Sequence, residues 1–475
     1  MKRILGAAAS VLFWVGACGG NSGSGEVPAK GGTSSNESGA PGDGGSSAGA
    51  GGQPPTTPAA GDAGDAAGGT PVELEEGGAG AGGAGGAPNP LSDVSGHIQT
   101  FLGSPLPGAV VIINGISTLT DAAGAFTVPA VAAPYDLTLI DDEHKIIEVV
   151  EGLITPAPVV RLWQFRAAKG SGSVAGKLSG GLGFPLTAGQ AGLVTFRGEH
   201  SNSLQVELTN PGQAFSLVNV TWEGSATCAG SLTGIFWKKG ATGPTDYIGF
   251  GQRALTLEDG KALGNVNGSV AATNLAVTDP AEHTVTGSIA VPGAPTKIWS
   301  YLGVGLESVP LALAAGPISV VVPDVDQPTS VAISAEYPEG TSSQTYPTSV
   351  SAQLNIEVPS PPQLILPFAA AAGVTAETEF TWTKPSAGTI SAAIVTMGVW
   401  TVVTVTSRNK VKLPDLSAAG VSYAGNELPG TWEIEQFSPA TSAEEALQLI
   451  DGTSPSYKSA VTTFGAAYRD FQVVD

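Results

Sequence analysis

Beyond residue 88 the apolar and polar positions alternate with a period of two, in short runs that stop at Gly, Pro, Asn or Asp. That period belongs to half-buried strands rather than helices. Val94-Ser95-Gly96-His97-Ile98 predicts a strand, residues 103–108 a turn, residues 109–113 a buried strand closed by a turn at Gly115, and Ser117-Thr118-Leu119-Thr120 another strand. In Thr120-Asp121-Ala122-Ala123-Gly124-Ala125-Phe126 an Asp three residues before a Gly predicts a tight turn that delivers Phe126 to a core strand. Further strands are predicted at residues 135–140, 193–196, 204–208, 215–220, 380–382, 400–406, 411–416 and 430–434. A V-x-G-x-(I/L/V) pattern occurs at Val94, Val174, Val266 and Val285, which suggests repeated modules. One short helix is predicted after Ser442: Glu445 three residues on forms a capping box, Ala446, Leu447 and Ile450 give the apolar face, and Gly452 ends it.

The amino-terminal pattern is different. Lys2 and Arg3 precede a continuous apolar run over residues 4–15, and Val15-Gly16-Ala17-Cys18 follows. A membrane-spanning helix needs about 20 apolar residues, and this run is too short. It resembles the lipobox of bacterial lipoproteins. The resemblance implies removal of residues 1–17, a diacylglyceryl group on the Cys18 thiol and acylation of the new amino terminus; Gly19, where Asp would signal retention, implies delivery to the outer membrane. Two or three acyl chains anchor a protein stably where one does so only marginally. Residues 19–88 are mostly Gly, Ala, Ser, Pro and Thr, with almost nothing to bury, so a disordered tether is expected. A coil of that length spans roughly 45–50 Å. The alternative is a tolerated low-complexity insert.

The Val94 to Ile98 strand, the Pro105 to Val111 strand with its P-x-x-G-A-x-V pattern and the Thr120 to Phe126 turn resemble, in that order, the carboxypeptidase regulatory-like, transthyretin-like β-sandwich. The resemblance covers about residues 89–165 and implies an accessory module without catalytic residues, in which Asp121 is a turn former rather than a calcium ligand and His97 a surface residue. Near the carboxy terminus, the Trp382 strand, Leu413-Pro414-Asp415-Leu416 and the Trp432 strand are similar, less extensively, to a fibronectin type III domain.

The expected fold is therefore all-β: a disordered, lipidated tether followed by Ig-like and transthyretin-like β-sandwiches. The divisions are 1–17 signal peptide, 18–88 tether, 89–165, 166–279, 280–359 and 360–475, with one large sandwich over 166–359 as the alternative to the split near 280.

Composition narrows function by exclusion. The 475 residues carry 20 Lys and Arg against 41 Asp and Glu, net −21, which argues against nucleic acid and against direct adsorption to an anionic membrane surface. Of the two cysteines, Cys18 is the lipidation residue, leaving Cys228 without a disulfide partner; no cationic neighbour in sequence activates it, so a buried inert thiol is expected. His97, His144, His200 and His283 lie too far apart for a zinc motif. No nucleophile elbow, phosphate loop or dinucleotide motif is present. Asp141-Asp142-Glu143 and Asp324-Val325-Asp326 carry carboxylates of the kind that bind calcium, but solvated turns are the simpler reading. Trp222, Trp237, Tyr247, Trp299, Tyr301 and Trp400 would stack on sugars if exposed, but each is expected in a core. No catalytic residue, cofactor or metal is expected. The reading is a non-catalytic, lipid-anchored cell-envelope protein, a binding or spacer module held in the membrane by Cys18, with an unidentified protein or glycan partner. A divergent member or accessory subunit of a secreted hydrolase is the alternative.

Overall fold

The computed structural model describes residues 90–162, 170–180, 186–198, 201, 204–208, 214–224, 226–305, 307–348, 353–383, 389–423, 429–450 and 462–472. The signal peptide, Cys18, the tether and His200 lie outside them. The regular structure among the described residues is almost entirely strand, as the alternating pattern predicts. Among them no helix is long and apolar enough to cross a membrane.

The first group comprises β1 (Ser92–Gln99), β2 (Val110–Ile113), β3 (Ile116–Leu119), β4 (Ala125–Val131), β5 (Tyr135–Asp141), β6 (Ile146–Leu153) and β7 (Val159–Arg161). β1 is central in a three-stranded sheet, antiparallel to β4 and parallel to β7. It packs on the sheet of β3, β2, β5 and β6 through Val94, Ile98, Phe126, Val111, Ile113, Leu137 and Leu139. The turn before β4 forms as predicted: the Asp121 Oδ1 accepts the amides of Ala123 and Ala125, both at 2.8 Å, and Gly124 takes φ +71°.

The second group runs through β8 (Gly170–Ser179), β9 (Gln190–Gly198), β10 (Leu204–Leu208), β11 (Ala214–Trp222), β12 (Thr227–Lys239), β13 (Pro244–Glu258), β14 (Ala262–Gly264) and β15 (Leu275–Ala276). Sheet β10-β9-β12-β13 packs on sheet β11-β8-β14 around Phe196, Phe215, Trp222 and Phe236. The third contains β16 (Ala281–Ala290), β17 (Lys297–Val304), β18 (Glu307–Leu311), β19 (Gly316–Asp324), β20 (Thr329–Tyr337), β21 (Gly340–Pro347) and β22 (Leu354–Glu357). Its core includes Val285, Leu302, Val320 and Ile333. Ala191, Leu193, Ile235, Trp237 and Tyr247 of the second group join that core from one face of the β9-β12-β13 sheet.

The fourth group has β23 (Leu364–Leu366), β24 (Phe380–Trp382), β25 (Ile390–Met397), β26 (Trp400–Thr406), β27 (Lys410–Val411), β28 (Pro429–Ser438), α1 (Ala443–Ile450) and β29 (Thr462–Gln472). Phe380 and Trp432 pack edge to face at 5.4 Å. The Trp382 indole N–H donates to the Ser391 hydroxyl at 3.1 Å, which satisfies the polar tip of a fully buried ring. α1 is capped by Ser442, whose hydroxyl accepts the Glu445 amide at 3.2 Å. The Glu445 carboxylate reaches back to the amide and hydroxyl of Thr441, one residue earlier than a simple capping box requires.

One 12-stranded sheet, β18-β17-β20-β21-β29-β28-β25-β26-β6-β5-β2-β3, links the first, third and fourth groups. Two pairings join them: β21 with β29 antiparallel, and β26 with β6 parallel, Thr401 beside Ile146 through Val405 beside Val150. β6 is therefore covered on both sides. Ile146 and Val150 enter the core of the first group, and Ile147 and Val149 that of the fourth. This explains why Ile146, Ile147, Val149 and Val150 are all apolar, on either side of Glu148, instead of alternating with polar residues.

The V-x-G-x pattern has a structural basis in three of its four copies. Val94, Val174 and Val285 begin segments of β1, β8 and β16, each the central strand of a sheet with an antiparallel neighbour on one side and a parallel one on the other. A Cβ at Gly96, Gly176 or Gly287 would collide with the carbonyl of Pro158, Thr273 or Leu354 respectively. The fourth copy is a turn. Asn265 and Asn267 accept the Ser269 amide through their side chains, and Gly268 adopts φ +73°, so local turn chemistry overrides the strand pattern at Val266.

Candidate functional site

The β5–β6 turn is where the predicted acidic residues come closest together. Asp141 ends β5 almost fully buried, and its carboxylate lies 3.0 Å from the His144 Nδ1. One ligand-type atom each from Asp141, Glu143 and His144 falls within a 4.8 Å group. Asp142 turns away to pair with Lys145 at 2.6 Å, and the Lys145 ammonium sits 4.9 Å above the Trp400 ring. The Lys145 carbonyl accepts the Thr401 amide at 2.9 Å, fixing the turn to β26. One imidazole and two carboxylates suit a first-row divalent metal. The Asp141–His144 contact also satisfies the buried carboxylate from within the turn.

The second acidic pair does not act as a pair. Asp324 binds the His283 Nδ1 at 2.6 Å, while Asp326 is exposed. His97 is exposed on β1. Cys228 is buried beside Phe196, its Sγ 3.9 Å from the Ala229 carbonyl. Of the six aromatic residues singled out for stacking, five are buried; Trp299 is half-buried, with the Lys297 ammonium 4.6 Å above its ring. They form no exposed platform.

A pocket of about 150 Å³ lies where the β9-β12-β13 face meets the β17–β18 hairpin. Arg197, Ser231, Thr233 and Gln252 line one wall; Val304, Glu307 and Gln327 line the other. The first wall continues, along the same strands, the face that carries Leu193 and Ile235 into the third core. Glu307 is nearly fully buried, and desolvation raises its pKa, partly opposed by the nearby Thr195 hydroxyl and by the Arg197 charge. At the mouth, the Gln252 amide donates to the Thr233 hydroxyl at 3.3 Å and receives the Gln327 amide at 3.4 Å. These bonds are long, so the groups can exchange partners at small cost.

A second acidic feature lies on β28. Glu433 and Glu435, two residues apart on one face, repel each other, and burial together with Glu435 pushes the Glu433 carboxyl up to about 8.

The sequence does not reveal the pocket, because its seven residues come from distant strands and one loop. The faint signal is a charge where strand pattern calls for apolar groups, Arg197 after Val194-Thr195-Phe196 and Glu307 before Val309.

No protein-family model and no curated protein matches the chain. Among solved structures, it is similar to the major pilin protein T-13 of Streptococcus pyogenes, at 9% identity over 50% of this chain and 97% of that one, with a TM-score of 0.13. It is also similar to the pilus adhesin SpaC of Lactobacillus rhamnosus GG, at 9% identity over 67% of this chain and 43% of that one, with a TM-score of 0.13. Those scores are too low to carry an argument about fold or function.

Proposed function

We propose that this chain is a lipid-anchored cell-envelope protein whose β-sandwich body serves as a non-catalytic binding and spacer module. The observation that carries the reading is Val15-Gly16-Ala17-Cys18 at the end of a short apolar run, with Lys2 and Arg3 before it and the Gly/Ala/Ser-rich stretch of residues 19–88 behind it. Acylated Cys18 holds the chain in the outer membrane, and the tether carries the strand-rich body away from the bilayer. The body begins with the unit that resembles carboxypeptidase regulatory-like modules and ends with the one similar to fibronectin type III domains, both of which serve as accessory sandwiches.

Cell fractionation with Cys18→Ala tests this directly. The native chain is expected in the outer-membrane fraction without residues 1–17, and the variant unacylated, still carrying residues 1–17 and absent from the outer-membrane fraction. A variant that is processed and reaches the outer membrane as the native chain does contradicts the anchor. Protease treatment of intact cells then assigns the face: release of fragments from Asn89 onward puts the body outside, and protection puts it in the periplasm.

A further inference from the structure

The pocket between the β9-β12-β13 face and the β17–β18 hairpin is a small concavity lined by hydroxyl, amide and charged groups, and neither the anchor nor a spacer role requires it. Its volume, about 150 Å³, equals that of about five water molecules at roughly 30 Å³ each, too small for a peptide or nucleotide and enough for one ring-sized molecule. Six of its seven lining residues are polar, and Val304 is the apolar exception.

Charge excludes ionic ligands. Arg197 and Glu307 face the same small volume, and the guanidinium lowers the carboxyl's pKa through their attraction. A phosphate or carboxylate would meet the Glu307 carboxyl in the same small volume, and a cation would meet the guanidinium. The remaining groups, two hydroxyls (Ser231, Thr233) and two primary amides (Gln252, Gln327), each donate and accept. A ligand with adjacent hydroxyls, each also donor and acceptor, matches that set. An apolar patch such as Val304 suits the C–H face of the same ligand.

We infer that this pocket binds one neutral pyranose unit, either as a free sugar or as the end of a glycan chain. Gln252 and Gln327 flank the ring, Ser231 and Thr233 hold adjacent hydroxyls, and Arg197 and Glu307 complete the lining. The inference does not rest on the lipid anchor, so failure of the anchor leaves it intact, and the reverse also holds.

Saturation-transfer difference NMR on the full-length chain in detergent tests it, with methyl glycosides of the common hexoses, pentoses and N-acetylhexosamines as probes and their disaccharides as a second arm. At least one glycoside is expected to receive saturation. Affinity should fall about fivefold in Gln252→Ala, which changes an exposed side chain, and similarly in Thr233→Val, which keeps side-chain volume, with unchanged melting temperatures; about fivefold corresponds to one lost hydrogen bond. Binding of disaccharides alone identifies a chain end, and binding of both arms a free sugar or a chain end. No transfer to any probe, or transfer unaffected by both substitutions, overturns the assignment and leaves a pocket that holds water only.

Discussion

The carbonyl of Leu354 occupies the space that a Cβ on Gly287 would need, so β16 and β22 lie side by side in parallel only because residue 287 has no side chain. The same relation holds between Gly96 and Pro158 and between Gly176 and Thr273, which makes it a repeated device. Gly287→Ala must push β22 away or break its pairing, and the expected loss is about 2–4 kcal/mol. Gly293→Ala is the comparison: it has φ +63° and open space around it, so it meets only backbone strain of about 1–2 kcal/mol. Urea unfolding of both variants checks the order; equal losses would contradict the close approach.

Asp121 is a turn residue, bonded to two amides of its own loop. Asp121→Ala should cost about 1–2 kcal/mol, and Asp121→Asn, which keeps one acceptor oxygen, clearly less. Added calcium should leave the melting temperature of the native chain unchanged by way of this residue, so a calcium-dependent rise lost in Asp121→Asn would make it a ligand instead.

The Glu433 carboxyl sits well above its ordinary value of 4.5, at about 8, through burial and the neighbouring Glu435 charge. The native state therefore holds a proton that the unfolded chain has released between those two values. The stabilising contribution is complete below about pH 4.5, declines as pH rises and is gone above about pH 8. Glu282 and Glu307 are raised as well and act in the same direction. Denaturant titrations across that range should show stability falling with pH, and Glu433→Gln should flatten the slope. A slope that is unchanged in the variant would assign the effect to other groups.

How far the sequence could be read depends on the range of the interaction. The Asp121 turn, the Ser442 cap and most strands are local: a few side chains bonding their own backbone, or a period of two against a single core. Val266 failed because turn-forming Asn265, Asn267 and Gly268 outweigh a five-residue match. The pairing of β6 with β26 is between residues more than two hundred apart, and only the adjacent apolar pairs Ile146-Ile147 and Val149-Val150, on either side of Glu148, hint that both faces are covered. The pocket is further from view still, since it depends on which strand ends meet in space. The proposed anchor, by contrast, rests wholly on the pattern of residues 1–18.

Because β26 completes the cover of β6, the first and last groups should unfold together. Removal of residues 360–475 takes away the apolar side chains that bury Ile147 and Val149. Each such side chain contributes about 1.5–3 kcal/mol when fully buried. Calorimetry should show one transition shared by these groups in the full chain and a destabilised or unfolded first group in the truncated one; an unchanged melting temperature for residues 89–165 would show that the shared sheet contributes nothing.

The Cys228 thiol is buried, with Phe196 in the same core and the backbone of Gly198 against its sulfur. With Cys18 acylated, the native chain should show no titratable thiol, and the denatured chain one. A native thiol that reacts promptly would contradict either the burial of Cys228 or the modification of Cys18.

The most direct test of the account is mass spectrometry of the amino-terminal peptide recovered from the membrane fraction. The account predicts a peptide that begins at Cys18, carries a diacylglyceryl group on sulfur and an acyl chain on nitrogen, and lacks residues 1–17. A peptide that still carries Met1, or one with an unmodified cysteine, would contradict the lipid anchor and with it the placement of this β-sandwich body in the cell envelope.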